Sequence, residues 1–132
     1  MTEPADGPAG VIPFDRLPHT RHSHELIGAD HGDLPFSIIL VHSAPGVGPA
    51  IHRHPYPEVF VVEDGEATFQ LGEERLVVSA GHVVVGPSDV PHGFVNSGSG
   101  ELRLVAIHGA GRFVTDWLGE ADADWVSPGK GR

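Results

Sequence analysis

Two histidines and a glutamate lie close together near the middle of the chain, in the segment His52-Arg-His54-Pro-Tyr-Pro-Glu58. Successive side chains of a β-strand alternate between its faces, so His52 and His54 would project from one side, about 7 Å apart along the strand. Neutral imidazole and carboxylate together suit a first-row divalent metal such as iron, manganese, nickel, cobalt or zinc. Further along, His92 follows a turn rich in glycine and proline and could supply a fourth ligand from another strand. The sequence therefore predicts one divalent transition metal held by His52, His54, Glu58 and His92.

The spacing of these residues resembles the first signature motif of the cupin superfamily. That motif reads glycine, five residues, His-x-His, three residues, glutamate, six residues and glycine, and its fixed positions are filled here by Gly46, His52, His54, Glu58 and Gly65. This match makes the chain similar to cupins from the first ligand segment onward.

A second segment resembles the second cupin signature. Its fixed positions are matched by Gly81, Pro87, His92 and Asn96, while Asp89 stands where the family usually has glycine. Aspartate tolerates a left-handed or turn backbone, so this departure leaves the fold assignment intact. The resemblance covers residues 37–109.

Resemblance to a small single-domain cupin implies an all-β fold, a double-stranded β-helix or jelly-roll barrel of six to eight strands. It also implies a homodimer, in which the N-terminal strand adds to the partner's sheet. The set of three histidines and one glutamate is similar to that of cupin dioxygenases such as quercetinases. The resemblance does not select a reaction, because one fold hosts many chemistries.

Composition limits the other possibilities. A chain of 132 residues is enough for one domain. Eighteen acidic against eight basic residues give a formal net charge of -10, which argues against nucleic-acid and membrane partners. There is no cysteine, so any metal must be bound through nitrogen and oxygen. Because there is no signal-peptide pattern and no apolar run of about 20 residues, we expect a cytoplasmic protein, with the composition of a GC-rich bacterial genome.

Short runs of β-branched and apolar residues, separated by turn residues, predict the strands. They lie at residues 37–43, 58–63, 66–71, 75–79, 82–86, 92–96 and 102–108. We expect an N-terminal extension with an edge strand over 1–33, the barrel over 34–111, and a short helix at 112–119 followed by a disordered tail to 132.

The dipeptide Asp64-Gly65 predicts a hairpin between two of these strands. In that hairpin Phe60 would pair with Phe69, on the side from which Glu58 projects. Phe94 shares the face of His92 by the same alternation. The three phenylalanines are therefore the predicted substrate pocket beside the metal.

The remaining histidines give weaker signals. His42 and His108 lie in predicted strands, where either could be a hydrogen-bond partner of a metal ligand or a substrate-facing base; no catalytic residue is otherwise identified. The N-terminal histidines lack regular spacing and carboxylate partners, so the favoured interpretation gives them no functional role: His19, His22, His24 and His31. Arg53 must face away from the metal and should form an ion pair outside the barrel.

Three functions stay open. The favoured one is a metal-dependent oxygenase acting on a small enolic, aromatic or polyketide-like molecule. The first alternative is a non-redox isomerase, lyase or polyketide cyclase, in which the metal polarises a carbonyl. The second alternative is a non-catalytic cupin that binds a small ligand.

Overall fold

The structure is a computed structural model that describes residues 10–119, and within that range the chain forms ten short strands. The strands are β1 Ser23–Leu26, β2 Ser37–Ser43, β3 His52–Arg53, β4 Glu58–Asp64, β5 Glu66–Leu71, β6 Glu74–Ser79, β7 His82–Gly86, β8 His92–Asn96, β9 Leu102–His108 and β10 Asp116–Trp117. Two 3₁₀ turns, Phe14–Arg16 and Gly28–Asp30, complete the regular structure.

The strands form two five-stranded antiparallel sheets. The order is β1-β2-β9-β4-β7 in the first sheet and β10-β3-β8-β5-β6 in the second. The seven strands predicted from sequence are confirmed to within one residue at either end. Strands β2 to β9 lie in the segment predicted to form the barrel. Strand β1 lies at one edge of the first sheet, and β10 lies at one edge of the second.

Alternation of side chains explains how the sheets close on each other. Along β2 every second residue is buried, so Ile39 and Val41 point inward while Leu40 and His42 lie on the outer face. The inward-facing apolar side chains of both sheets form one core, which includes Phe60, Val62, Phe69, Phe94, Leu102 and Leu104.

The predicted hairpin at Asp64-Gly65 is wrong. Strand β4 pairs with β7 and β9 in the first sheet, whereas β5 pairs with β6 and β8 in the second. The dipeptide is instead a corner at which the chain crosses between sheets. Gly65 has φ +87°, and a Cβ there would lie 2.7 Å from the carbonyl oxygen of Glu101. Phe60 and Phe69 still meet, with ring centroids 5.0 Å apart, because the two sheets face each other.

The predicted C-terminal helix at 112–119 is also wrong, since this segment contains β10. Asp116 pairs with Arg53, and Trp117 with His52, on the edge of the second sheet. Eight residues are too few for a stable helix unless one face packs. Here β-branched Val114 and Thr115 favour an extended chain, and an open edge strand supplies backbone partners.

Strand β1 belongs to the predicted N-terminal extension and pairs with β2 of its own chain. Strand exchange within a homodimer stays a prediction. The first nine residues of the predicted N-terminal extension lie outside the described residues, as does the predicted disordered tail from residue 120 on. Within residues 10–119, no helix has the length and apolar character needed to cross a membrane.

Candidate metal centre

Side chains from both sheets meet at one end of the barrel. His52 on β3 and His92 on β8 are paired residues of the second sheet, whereas Glu58 begins β4 of the first. His54 lies in the link between β3 and β4. The candidate ligand atoms of these four residues all lie within 4.8 Å of one another, and all four side chains are buried. The structure thus brings together every residue of the predicted ligand set.

The link from β3 to β4 explains how one short segment supplies three of these groups. Pro55 and Pro57 have no N–H to donate to a ladder, so pairing in the second sheet ends at Arg53. The chain then crosses over and enters the first sheet at Glu58, which faces His52 across the barrel. Asp89 has φ +64°, the left-handed backbone expected at this position, and its N–H donates to the carbonyl of His54 at 2.7 Å.

Backbone carbonyls orient the three imidazoles. The Nδ1–H of His52 donates to the Ala50 carbonyl at 2.6 Å, that of His54 to Val114 at 2.9 Å, and that of His92 to Val90 at 3.1 Å. Because a carbonyl oxygen only accepts, Nδ1 carries the proton and the neutral ring has its lone pair on Nε2. Hydrogen bonds of this kind hold metal-binding histidines in the required tautomer.

The Glu58 carboxylate lies among these rings. Its Oε1 is 3.1 Å from His54 Nε2 and 3.0 Å from His92 Nε2. Burial raises the pKa of Glu58, but attraction to His108 and the close contact with its ring outweigh burial and hold the pKa well below its usual value. The carboxylate is therefore ionised at neutral pH.

A divalent cation fits this arrangement of donors. His54 Nε2 is buried and, among the described residues, has no partner in hydrogen-bond geometry although Glu58 Oε1 is near. Lone pairs of imidazole and carboxylate that converge at about 3 Å repel each other unless a proton or cation lies between them. Three neutral nitrogens and one carboxylate oxygen form a donor set typical of a first-row divalent metal.

His108 orients the second oxygen of Glu58. The two residues are paired between β9 and β4, and His108 Nε2 lies 3.0 Å from Glu58 Oε2. The other ring nitrogen, Nδ1, lies 3.0 Å from the hydroxyl of Tyr56, to which the N–H of Val114 donates at 3.4 Å. Val114 N–H donates to the Tyr56 oxygen, the Tyr56 hydroxyl is within hydrogen-bond distance of His108 Nδ1, and His108 Nε2 faces the carboxylate in an electrostatic contact. His108 is thus beside the site as expected, as a partner of Glu58.

Sequence reasoning missed Tyr56, although it lies between the ligands His54 and Glu58. Its ring stacks on His54 with centroids 4.8 Å apart and planes 13° apart. The flanking prolines interrupt strand alternation, so no periodicity showed which way Tyr56 points. The sequence Pro-Tyr-Pro between two ligands was the one available signal.

The predicted aromatic pocket is only partly formed as expected. Phe60 and Phe94 line a cavity of about 10 Å³ beside His52 and Glu58, the volume that one water molecule needs. Its other walls are apolar: Ile39, Val41, Pro49 and Ala106. Phe69 is fully buried behind these rings, with centroids 5.0 Å from Phe60 and 5.3 Å from Phe94. Phe69 is a core residue and does not line the cavity.

His42 does not reach the metal centre, because it lies on the outer face of the first sheet, where its ring packs on His24 with centroids 5.2 Å apart. The expected ion pair of Arg53 is present on the exterior, with Nε 2.9 Å from Asp116 Oδ2. Beside it, the Trp117 ring packs on His52 at 4.8 Å and covers the ligand from the edge of the second sheet.

Comparisons with known proteins agree with this architecture. Residues 39–108 match the family model described as a cupin domain. A Klebsiella pneumoniae protein with a double-stranded β-helix domain is 21% identical over 83% of this chain and 91% of its own, with a TM-score of 0.64. A cupin-like protein from Thermotoga maritima is 24% identical over 74% of this chain and 75% of its own, with a TM-score of 0.66.

An enzyme is also among the similar structures. Oxalate oxidase, solved in complex with the substrate analogue glycolate, is 26% identical over 73% of this chain and 54% of its own, with a TM-score of 0.65. The chain thus spans about half the length of that enzyme. Among curated proteins, none matches. The family match extends over more than half of the sequence and encloses all four candidate ligands, so this chain belongs to the cupin family.

Proposed function

We propose that the protein is a metal-dependent oxygenase or oxidase acting on a small, oxygen-rich substrate such as an enol or a short carboxylate. One observation carries the proposal: three imidazoles and one carboxylate, all buried, converge within 4.8 Å of one another. The likeness to oxalate oxidase, at 26% identity, supports the same class of chemistry.

Residues His52, His54, Glu58 and His92 would hold the metal. When bound there, a redox-active ion supplies electron transfer between substrate and dioxygen, together with Lewis acidity. Three neutral ligands and one carboxylate leave a divalent ion with a net charge of about +1. A monoanionic enolate or carboxylate complements that charge.

The surrounding side chains give the site its selectivity. Phe60 and Phe94 present apolar surface, which excludes bulk water and strengthens electrostatic interactions at the ligands. The cavity of about 10 Å³ has room for one water molecule, so Phe60 and Phe94 must move before a substrate reaches the ligands from this side. His108 Nε2, 3.0 Å from Glu58 Oε2, contacts the carboxylate on the side away from His54 and His92 and so favours the orientation in which Oε1 faces those two histidines.

Oxygen uptake by the reconstituted protein tests this function. Metal-free protein is loaded anaerobically with iron, manganese, nickel, cobalt or zinc, and each form is offered oxalate, glycolate, a 1,3-diketone, catechol and a flavonol. We expect uptake with iron or manganese and a small chelating substrate, and no uptake with zinc or in Glu58→Gln.

Two other outcomes would overturn the proposal. Turnover by the zinc form without oxygen would indicate the non-redox isomerase, lyase or cyclase. Tight binding without turnover by any metal form would indicate a ligand-binding cupin.

A further inference from the structure

Three histidines outside the metal centre form a row on the outer face of the first sheet. An isolated bridge pairs His19 with His24, and β1 pairs with β2 so that His24 lies opposite Leu40. His42 is two residues further along β2 and therefore shares the outward face with His24. The ring centroids are 5.7 Å apart for His19 and His24, and 5.2 Å apart for His24 and His42.

Two ring nitrogens in this row lack a hydrogen-bond partner. His24 Nδ1 and His42 Nε2 are both buried, and within residues 10–119 nothing bonds to either of them. Polar atoms shielded from water are normally satisfied by protein groups, ordered water or an ion. Burial, and next the neighbouring His24, lower the pKa of His42, which keeps its ring neutral and able to bind a metal.

The spacing of the rings matches that of the candidate metal centre. There the three histidine centroids are 4.5, 5.0 and 5.3 Å apart. Two imidazoles bound to one zinc or nickel ion through bonds of about 2.0–2.1 Å require a similar separation. The distance of 5.2 Å between His24 and His42 falls within this range, whereas His19, whose ring centroid is 5.7 Å from that of His24, lies outside it.

The cavity beside the row has room and charge for a cation. Its volume is about 410 Å³, and His24 and His42 line it together with Glu63 and Arg103. Arg103 would oppose a cation, but its Nε is 2.9 Å from Glu101 Oε1, so that charge is paired. Glu63 adds a negative charge to the wall of the same cavity.

We propose that His24 and His42 form a two-imidazole site for a divalent transition metal on the outer face of the barrel, with water as the remaining ligands. Imidazole ligands select zinc, copper(II) or nickel over magnesium and calcium. This site is independent of the proposed enzymatic function and of the ligands at the end of the barrel.

Zinc titration of the full chain, followed by calorimetry and elemental analysis after dialysis, tests the second site. We expect two zinc ions per wild-type chain, and one in His24→Gln and in His42→Gln. His82→Gln is the matched control, because His82 is an exposed histidine on β7 and should leave two. Glu58→Gln should lose the other ion and keep this one. One ion in the wild type, or two in both cluster variants, would overturn the proposal.

A second measurement leaves His24 and His42 in place. Substoichiometric copper(II) broadens NMR signals near its binding site. It also competes with zinc for the barrel-end ligands, so the measurement uses Glu58→Gln, in which that site is disabled. We expect broadening confined to residues 19–24 and 40–44. Broadening elsewhere, or none, would refute the site even if the His24 and His42 variants failed to fold.

Discussion

Replacing Tyr56 with phenylalanine removes one oxygen from the hydrogen-bond chain that orients Glu58. The ring can keep its stacking on His54, since the planes are only 13° apart and the hydroxyl takes no part in that contact. What is lost is the donor 3.0 Å from His108 Nδ1, in a buried environment. His108 then loses the contact that holds its ring with Nε2 facing Glu58 Oε2.

The expected cost follows from burial. Leaving a buried polar atom without its partner costs about 1–3 kcal/mol. For a chain of this size, about 2 kcal/mol lowers Tm by roughly 6–10 °C. Loss of a hydrogen bond that orients a metal ligand typically weakens metal binding by about 10–100-fold. We therefore expect Tyr56→Phe to lower both the stability of metal-free protein and the affinity of the barrel-end site.

Thermal unfolding with chelator and competition titration with a chromophoric chelator measure these two effects. Thr68→Val is the matched control, because it removes a hydroxyl from an exposed hydrogen bond to Ser97, where a change within about 0.5 kcal/mol is expected. If Tyr56→Phe bound metal as tightly as the Thr68→Val control and unfolded at the same temperature, Tyr56 would have no role in positioning Glu58.

Further predictions concern the site and its walls. In metal-free protein the pKa of Glu58 is lower in the folded state than its ordinary value of 4.5. Its ionised form therefore stabilises the fold above pH 4.5, and this stabilisation is lost as the pH falls toward the pKa of the folded state. In Glu58→Gln, the free energy of unfolding measured by denaturant titration should depend less on pH in the acid range. Phe69→Ala should lower the free energy of unfolding by about 3–5 kcal/mol and leave substrate selectivity unchanged. Phe94→Ala should lower the free energy of unfolding and also admit larger substrates. Unfolding and oxygen-uptake assays measure this contrast. Asp116→Ala breaks an exposed ion pair with Arg53, and its effect on unfolding should stay below about 1 kcal/mol.

Local chemistry explains why much of the fold was predictable. The strands β2 and β4 to β9 follow from β-branched, alternating residues bounded by glycine, proline and aspartate, and these preferences act within a few residues. The left-handed backbone of Asp89 was predictable for the same reason. The C-terminal segment was misassigned because its choice between helix and strand depends on an unpaired edge of β3, more than 60 residues earlier in the chain.

The sequence by itself determined which residues could bind a metal and that they lie on short strands, because residue type and spacing act locally. Only the tertiary structure decided that β4 and β5 belong to different sheets, since a turn dipeptide does not distinguish a hairpin from a corner. It also decided that His108 faces Glu58, while His42 packs on His24 on the outer face of the first sheet. Tyr56 and His108 are 52 residues apart, and their hydrogen bond exists because β9 packs beside β4. Contacts of that kind depend on how the strands pair and the sheets close, which no local pattern encodes.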